Sequence, residues 1–278
     1  MTHVDLHMHT MYSDGSLDPK SLVRVVKLKN IDVFAITDHD NINGYLRAID
    51  EANKWNIKLI PGVEMTTKDY HILGINFDPE NKEFLGFLGY IRDLQRKVCQ
   101  QRIDKLREYE IPINLEKVER AFPYSRLGKY NILMTMLQDS ETSEYINKTN
   151  PGATTEDLFD YYLKDKGLAG KIEKKYYIES KEAIEQVHNA GGIAILAHPF
   201  RDVKEDSEIE KLLEERLDAL EHQPNYNEKS KYYTEYAIKR KIPLTYGSDF
   251  HRPGTNRFLL GKEENNIENL GELIDRWK

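Results

Sequence analysis

The placement of histidine constrains this chain most. Of its nine histidines, six fall in or beside short motifs that carry a carboxylate. His7 and His9 lie in Asp5-Leu6-His7-Met8-His9, His39 in Thr37-Asp38-His39-Asp40, and His71 follows Gly62-Val63-Glu64. His198 sits in Ala197-His198-Pro199, His251 in Ser248-Asp249-Phe250-His251, and Asp14 in Ser13-Asp14-Gly15. A fold that suits this pattern must bring scattered segments to one place. The distribution reads as a polynuclear metal site, because His7, His9, Asp14, His39, Glu64, His71, His198, Asp249 and His251 supply enough oxygen and imidazole ligands for three divalent ions.

The segments that carry these motifs alternate between β-like and helical patterns. Residues 3–9, 32–37, 58–64 and 71–77 read as strands, and 19–29 and 42–55 as helices, which is βαβα punctuation. In parallel α/β folds functional groups gather at the carboxyl ends of strands, where Asp5 to His9, Thr37 to Asp40 and Gly62 to Glu64 all fall. Residues 83–109 carry apolar positions at helical spacing and predict a long amphipathic helix. From 111 to 175 the pattern is helical, broken at Pro112, Pro123 and Pro151, and contains no candidate histidine. The region 100–175 is therefore expected to be a helical insertion covering the site within a domain that spans 1–278. Alternation resumes with a helix over 180–189, a Gly191-Gly192 stop and a strand over 193–197 that ends at His198. A helix over 208–216, a strand over 217–221, a helix over 228–241 and a strand over 243–246 lead to Asp249 and His251.

Composition narrows the chemistry. A formal charge of −7 argues against duplex nucleic acid as a partner, since that demands a basic face. A small anionic substrate is compatible, because bound cations reverse the local field. Cys99 is the only cysteine, so neither an internal disulfide nor a thiolate zinc knot can form. Imidazole and carboxylate ligands suit manganese, iron or zinc alike. No signal-peptide pattern and no apolar run of membrane-spanning length occur, which gives a cytoplasmic expectation with no membrane partner.

On a strand, residues i and i+2 share a face, so His7 and His9 can grip one ion while Asp5 orients them from behind. One His-x-His arises readily by chance, and the weight of the reading comes from the further motifs. His3 and His188 read as structural, the latter at a helix end. Glu221 or His222 is expected to support the site from behind, and Asp38 and Asp40 are expected to accept hydrogen bonds beside His39. The 17 tyrosines read mainly as packing residues.

Taken together, Asp5-x-His7-x-His9, Thr37-Asp38-His39-Asp40, Gly62-Val63-Glu64, Ala197-His198-Pro199 and Ser248-Asp249-Phe250-His251 resemble the motifs of the PHP (polymerase and histidinol phosphatase) family of metal-dependent phosphoesterases. The resemblance covers nearly the whole chain. It implies an α/β fold, a distorted (β/α)7 barrel, and two to three divalent ions. The ligand sets it implies are His7, His9, Glu64 and Asp249 for a first ion, with Glu64 bridging, Glu64, His71 and His198 for a second, and Asp14, His39 and His251 for a third. Some members carry histidine at the position of Asp14, and an aspartate there is expected to harden the third site toward manganese or iron. The nucleophile implied is a metal-activated hydroxide, with no catalytic side chain beyond the metal ligands.

Substrate contacts are expected from Arg201, just past His198, because a guanidinium fork matches phosphate. Arg126, in Tyr124-Ser125-Arg126, resembles a Ser-Arg element of the family's nucleotide-acting branch, although Leu127-Gly128-Lys129 stands where that branch usually has Pro-His. The resemblance implies hydrolysis of a small phosphate monoester, a nucleoside 3′,5′-bisphosphate or the 5′ end of short single-stranded RNA. Histidinol phosphate is the rival substrate. An amidohydrolase-like reaction and a noncatalytic module rank lower, the first because Glu64 stands where a carboxylated lysine commonly bridges, the second because all nine ligand positions are filled.

Overall fold

The computed structural model of the chain describes residues 3–172, 174–223 and 227–253. Two compact units emerge: Met1–Gly89 with Ile178–Lys278, and Tyr90–Tyr177.

The first unit is built on seven strands in sequence order: β1 (Val4–Asp5), β2 (Val33–Ile36), β3 (Lys58–Thr66), β4 (His71–Ile75), β5 (Ile193–Leu196), β6 (Ala219–His222) and β7 (Leu244–Tyr246). β1, β2 and β3 pair in parallel, as do β5, β6 and β7. β4 runs antiparallel to both β3 and β5. The ends of the sheet meet: Leu6 N donates to Tyr246 O at 2.9 Å, and Met8 bridges Phe250 in parallel. The sheet is thus a nearly closed seven-stranded barrel, in agreement with the (β/α)7 expectation, which consumes the edges that an open sheet would expose.

Alternation along the strands separates two apolar layers. Val4, Leu6, Val33, Ala35, Ile60, Leu73, Ile75, Ile193, Ile195, Ala197 and Ala219 form one cluster drawn from six strands, which is the barrel interior. Phe34 and Ile36 point the other way and pack with Leu22, Val23 and Val26 of α1 (Pro19–Leu28) and Ala48 and Ala52 of α2 (Asn43–Lys54). Each fully buried aliphatic or aromatic side chain here is worth about 1.5–3 kcal/mol in removed apolar surface. α1 starts where Asp18 accepts hydrogen bonds from the Lys20 and Ser21 amides and Pro19 takes the first helical position.

α3 (Lys82–Arg107) carries the chain into the second unit, which is all helical: α4 (Leu115–Ala121), α5 (Lys129–Gln138), α6 (Ser140–Thr149) and α7 (Thr155–Tyr162). The expected proline breaks fall between these helices. Its own core contains Cys99, Ile103, Leu106, Val118, Ile132, Met136, Ile146 and Tyr162. Arg102 is buried there and donates to the carbonyls of Ala169 and Gly170 at 2.5 and 2.8 Å, which satisfies a charge the core would otherwise reject. The chain returns to the first unit through α8 (Ser180–Asn189), then α9 (Pro199–Asp202), α10 (Asp206–Glu214) and α11 (Glu228–Arg240). The four-residue α9 was not expected from sequence.

Candidate metal centre

Interior alternation, carried to or just past each strand's carboxyl end, delivers the polar groups. Val33 and Ala35 lead to His39, Ile60 to Glu64, and Ala219 to Glu221 at the same two-residue spacing. Just past β1 the phase changes: Leu6 joins the interior cluster, but Met8 joins the outer layer with Phe34, and this turns His7 and His9 inward. β4 contributes from its beginning rather than its end. Thr66 pairs with His71, so reversal of that strand places His71 at the same barrel end as Glu64. His198, Asp40 and Asp249 have φ of 29°, 55° and 51°, a region that non-glycine residues rarely occupy and that recurs where function fixes the backbone.

All nine sequence-predicted ligands converge. Glu64 Oε2 has His7 Nε2, His9 Nε2 and His39 Nδ1 at 3.3, 3.2 and 3.2 Å. Glu64 Oε1 has His71 Nδ1 and His198 Nε2 at 2.8 and 3.0 Å. Asp249 Oδ1 lies 3.4, 3.3 and 3.4 Å from His7 Nε2, His9 Nε2 and His251 Nδ1. Asp14 lies 3.3 Å from His251 Nε2 and 3.7 Å from both His9 Nδ1 and His39 Nε2. Among the described residues three groups have ligand atoms close enough to share an ion: His7, His9, Glu64 and Asp249; His9, Asp14, His39 and His251; and His39, Glu64 and His71. His9 and His39 therefore each face two groups. His7, His9, Glu64 and His198 are buried, whereas Asp14, His71 and His251 are half-buried and give solvent its access.

The ring protons can be assigned from partners. His7 Nδ1 is 2.7 Å from Glu221 Oε1, an acceptor, so Nδ1 carries the proton. Ser13 donates its hydroxyl proton to Asp38 at 2.7 Å, so at 3.2 Å it accepts from His9 Nδ1. In the neutral rings both Nε2 atoms are then left with lone pairs, 3.0 Å apart and facing Glu64 Oε2 and Asp249 Oδ1. Glu64 Oε2 is buried and makes no hydrogen bond. Four electron-rich atoms around one point require positive charge between them. A divalent cation fits, since ligands about 2.0–2.2 Å from an ion stand roughly 3–3.5 Å from one another.

The titration behaviour says the same of the ion-free cluster. Burial opposes charge on His7, yet Glu221, Glu64 and Asp249 hold it well above the ordinary imidazole range. Against the same burial, Asp249 and Glu64 push His9 up to about 10, and Asp202 and Glu64 push His198 up to about 9. Desolvation opposes charge on Glu64, Asp14 and Asp249 as well, but the surrounding histidines hold all three well below the usual carboxylate range. His71 is lowered, by burial above all. At His7, His9 and His198 protons thus stand in for the positive charge that cations would supply.

Behind the cluster, Asp5 accepts from the amides of His7 and Ser248 at 3.2 and 3.0 Å and is pushed up to about 7, mainly by burial. Asp38 accepts from the Thr10 amide and hydroxyl, and Asp40 from the Thr66 amide and hydroxyl. Glu221 is the residue of its pair that faces inward, while His222 bonds Thr234 at 2.6 Å. His3 and His188 engage the Asn30 carbonyl and Asp218 respectively. Asp202 was missed: its Oδ2 is 3.0 Å from His198 Nδ1, and its i,i+4 spacing on α9 was the available signal. Arg201 lies beside the cluster, Nη1 3.8 Å from Asp249 and Nε 3.8 Å from Asp202. Arg126 belongs to the second unit, in the loop before α5.

The chain is similar to several known proteins. A 5′-3′ exoribonuclease of Haemophilus influenzae is 29% identical over 288 residues, spanning 99% of this chain and 97% of that protein. A 3′,5′-nucleoside bisphosphate phosphatase of Chromobacterium violaceum is 23% identical over 275 residues, 95% of this chain and 92% of that one. Among solved structures, a candidate metal-dependent phosphoesterase from Bifidobacterium adolescentis superposes with a TM-score of 0.77 at 24% identity, covering 99% of this chain and 96% of that one. The model of the PHP domain matches residues 5–228, a stretch that holds every motif from Asp5 to His198, and the chain therefore belongs to the PHP family.

Proposed function

We propose that this chain is a metal-dependent phosphoesterase whose substrate is a small phosphorylated nucleotide, a nucleoside 3′,5′-bisphosphate or the 5′ end of short RNA. The observation that carries the reading is the convergence of His7 Nε2 and His9 Nε2 with Glu64 and Asp249, which brings four ligand atoms to within coordinating distance of one cation. His7, His9, Glu64 and Asp249 would hold one ion, Glu64, His71 and His198 a second with His39 adjoining, and Asp14, His39 and His251 a third. When bound, such ions lower the pKa of water toward neutrality and offset phosphoryl charge.

The chain's own groups bind and orient. Arg201 is part-exposed and sits too far from Asp249 and Asp202 for tight pairing, so its fork is available to nonbridging phosphoryl oxygens at the open side of the cluster. The half-buried Asp14, His71 and His251 border that side, while the barrel's apolar interior keeps bulk water from the other. The assignment of Arg126 to the substrate rests on the sequence resemblance alone. A nucleotide is preferred to histidinol phosphate because the two curated relatives above, both near full length, are named for RNA and nucleoside bisphosphate.

Protein reconstituted with manganese, iron(II) or zinc is offered adenosine 3′,5′-bisphosphate, a short 5′-phosphorylated RNA and histidinol phosphate, and phosphate release is measured. Turnover should favour the first two, and Glu64→Gln should lower kcat/KM by more than about 100-fold, beyond the loss typical of groups outside the metal ligands. Preference for histidinol phosphate overturns the nucleotide reading. Undiminished release by Glu64→Gln overturns the metal reading.

A further inference from the structure

We infer that Glu221 is a positioning residue that locks two ligands from different strands into the cluster, an assignment that rests on the metal reading above. Its side chain is fully buried on β6, and both of its oxygens are used. Oε1 accepts from His7 Nδ1 at 2.7 Å, and Oε2 accepts from the His198 amide at 2.6 Å and from Gln223 Nε2 at 3.3 Å. One carboxylate thus ties the β1 extension to the end of β5. The first bond fixes the His7 tautomer with Nε2 directed at Glu64 and Asp249. The second holds the His198 backbone at its unusual φ of 29°, from which Nε2 reaches Glu64 Oε1.

The demand for two acceptors makes the carboxylate irreplaceable by its amide. In glutamine one terminal group is a donor, and in either orientation it would meet the His7 Nδ1–H or the His198 N–H, both donors. An imidazole held by a carboxylate also gains basicity at its other nitrogen, the general reason such pairs recur behind metal ligands. The surrounding backbone makes room for this clamp. A Cβ on Gly247, just past β7, would fall 2.1 Å from Glu221 Oε1 and 2.4 Å from His7 Cβ, so no other residue fits there without displacing the pair. The neighbouring His222 turns outward to Thr234, which confines the role to one face of the strand.

The test measures manganese affinity by calorimetry on full-length, chelator-treated protein: wild type, Glu221→Gln and His222→Ala, with circular dichroism of each ion-free variant. Glu221→Gln should weaken manganese binding about 10–100-fold while ion-free secondary structure is kept, and His222→Ala should leave affinity within about twofold of wild type. Independently of any variant, ¹⁵N spectra of zinc-loaded wild type should show the His7 proton on Nδ1. Equal manganese affinity in Glu221→Gln and wild type, or a His7 proton on Nε2, overturns the assignment of Glu221 alone. If wild type binds neither ion, the metal reading falls and takes this assignment with it.

Discussion

Protons and divalent cations compete for the same nitrogens in this barrel. His9 is pushed up to about 10 and His198 to about 9 because carboxylates stand against them, so near neutral pH the ion-free protein keeps protons there. The sign follows directly: an ion must displace those protons, so manganese affinity should strengthen as pH rises toward about 9–10, and binding should release protons. Calorimetry in two buffers of different ionisation heat would measure the release. Affinity unchanged between about pH 6 and about pH 9 would contradict it. At this scale much was legible in the sequence, since the candidate ligands sit in short motifs whose residue types speak for themselves. The choice between Glu221 and His222 was not legible, because it depends on which face of β6 looks inward. Asp202 escaped notice because its helix is a single turn following a proline.

Among the elements, β4 decides most. Period-two apolar patterning is blind to strand direction, so it predicts a strand from His71 without an orientation. The signal that was present is the short connection: β3 ends at Thr66 and β4 begins at His71, and so few residues cannot make the crossover that a parallel neighbour needs. Reversal is what lets a residue at a strand's start join residues at the ends of the others. The helices, by contrast, are ordinary scaffold. Asp18 caps α1, and its bonds with Ser21 hold its carboxyl below the usual range, so the capping contribution is present above the ordinary carboxylate pKa and fades as pH falls through the lowered one. Asp18→Ala should cost about 1 kcal/mol in urea unfolding and leave kcat/KM unchanged. Loss of activity in step with stability would show that α1 is not separable from the site.

For the molecule as a whole, assembly of the site is inseparable from closure of the barrel. His7 and His9 come from just beyond the first strand and Asp249 and His251 from beyond the last, and they meet because Leu6 bonds Tyr246 and Met8 pairs with Phe250. Ions bound across that seam stabilise the folded state only, by about 2.7 kcal/mol at a hundredfold excess over Kd. Manganese at that excess should therefore raise the melting temperature of chelator-treated protein by roughly 5–10 °C with little change in far-ultraviolet circular dichroism, since the apolar layers persist without ions. An unchanged melting temperature would argue against ions bridging the seam. The sequence by itself determined the ligand chemistry and the alternation of strands and helices, because residue type and periodicity are local properties. Only the tertiary structure decided which nitrogens face which oxygens, that Glu64 serves five histidines, and that β4 runs backward, because those depend on strand direction, ring closure and the inward face of each strand.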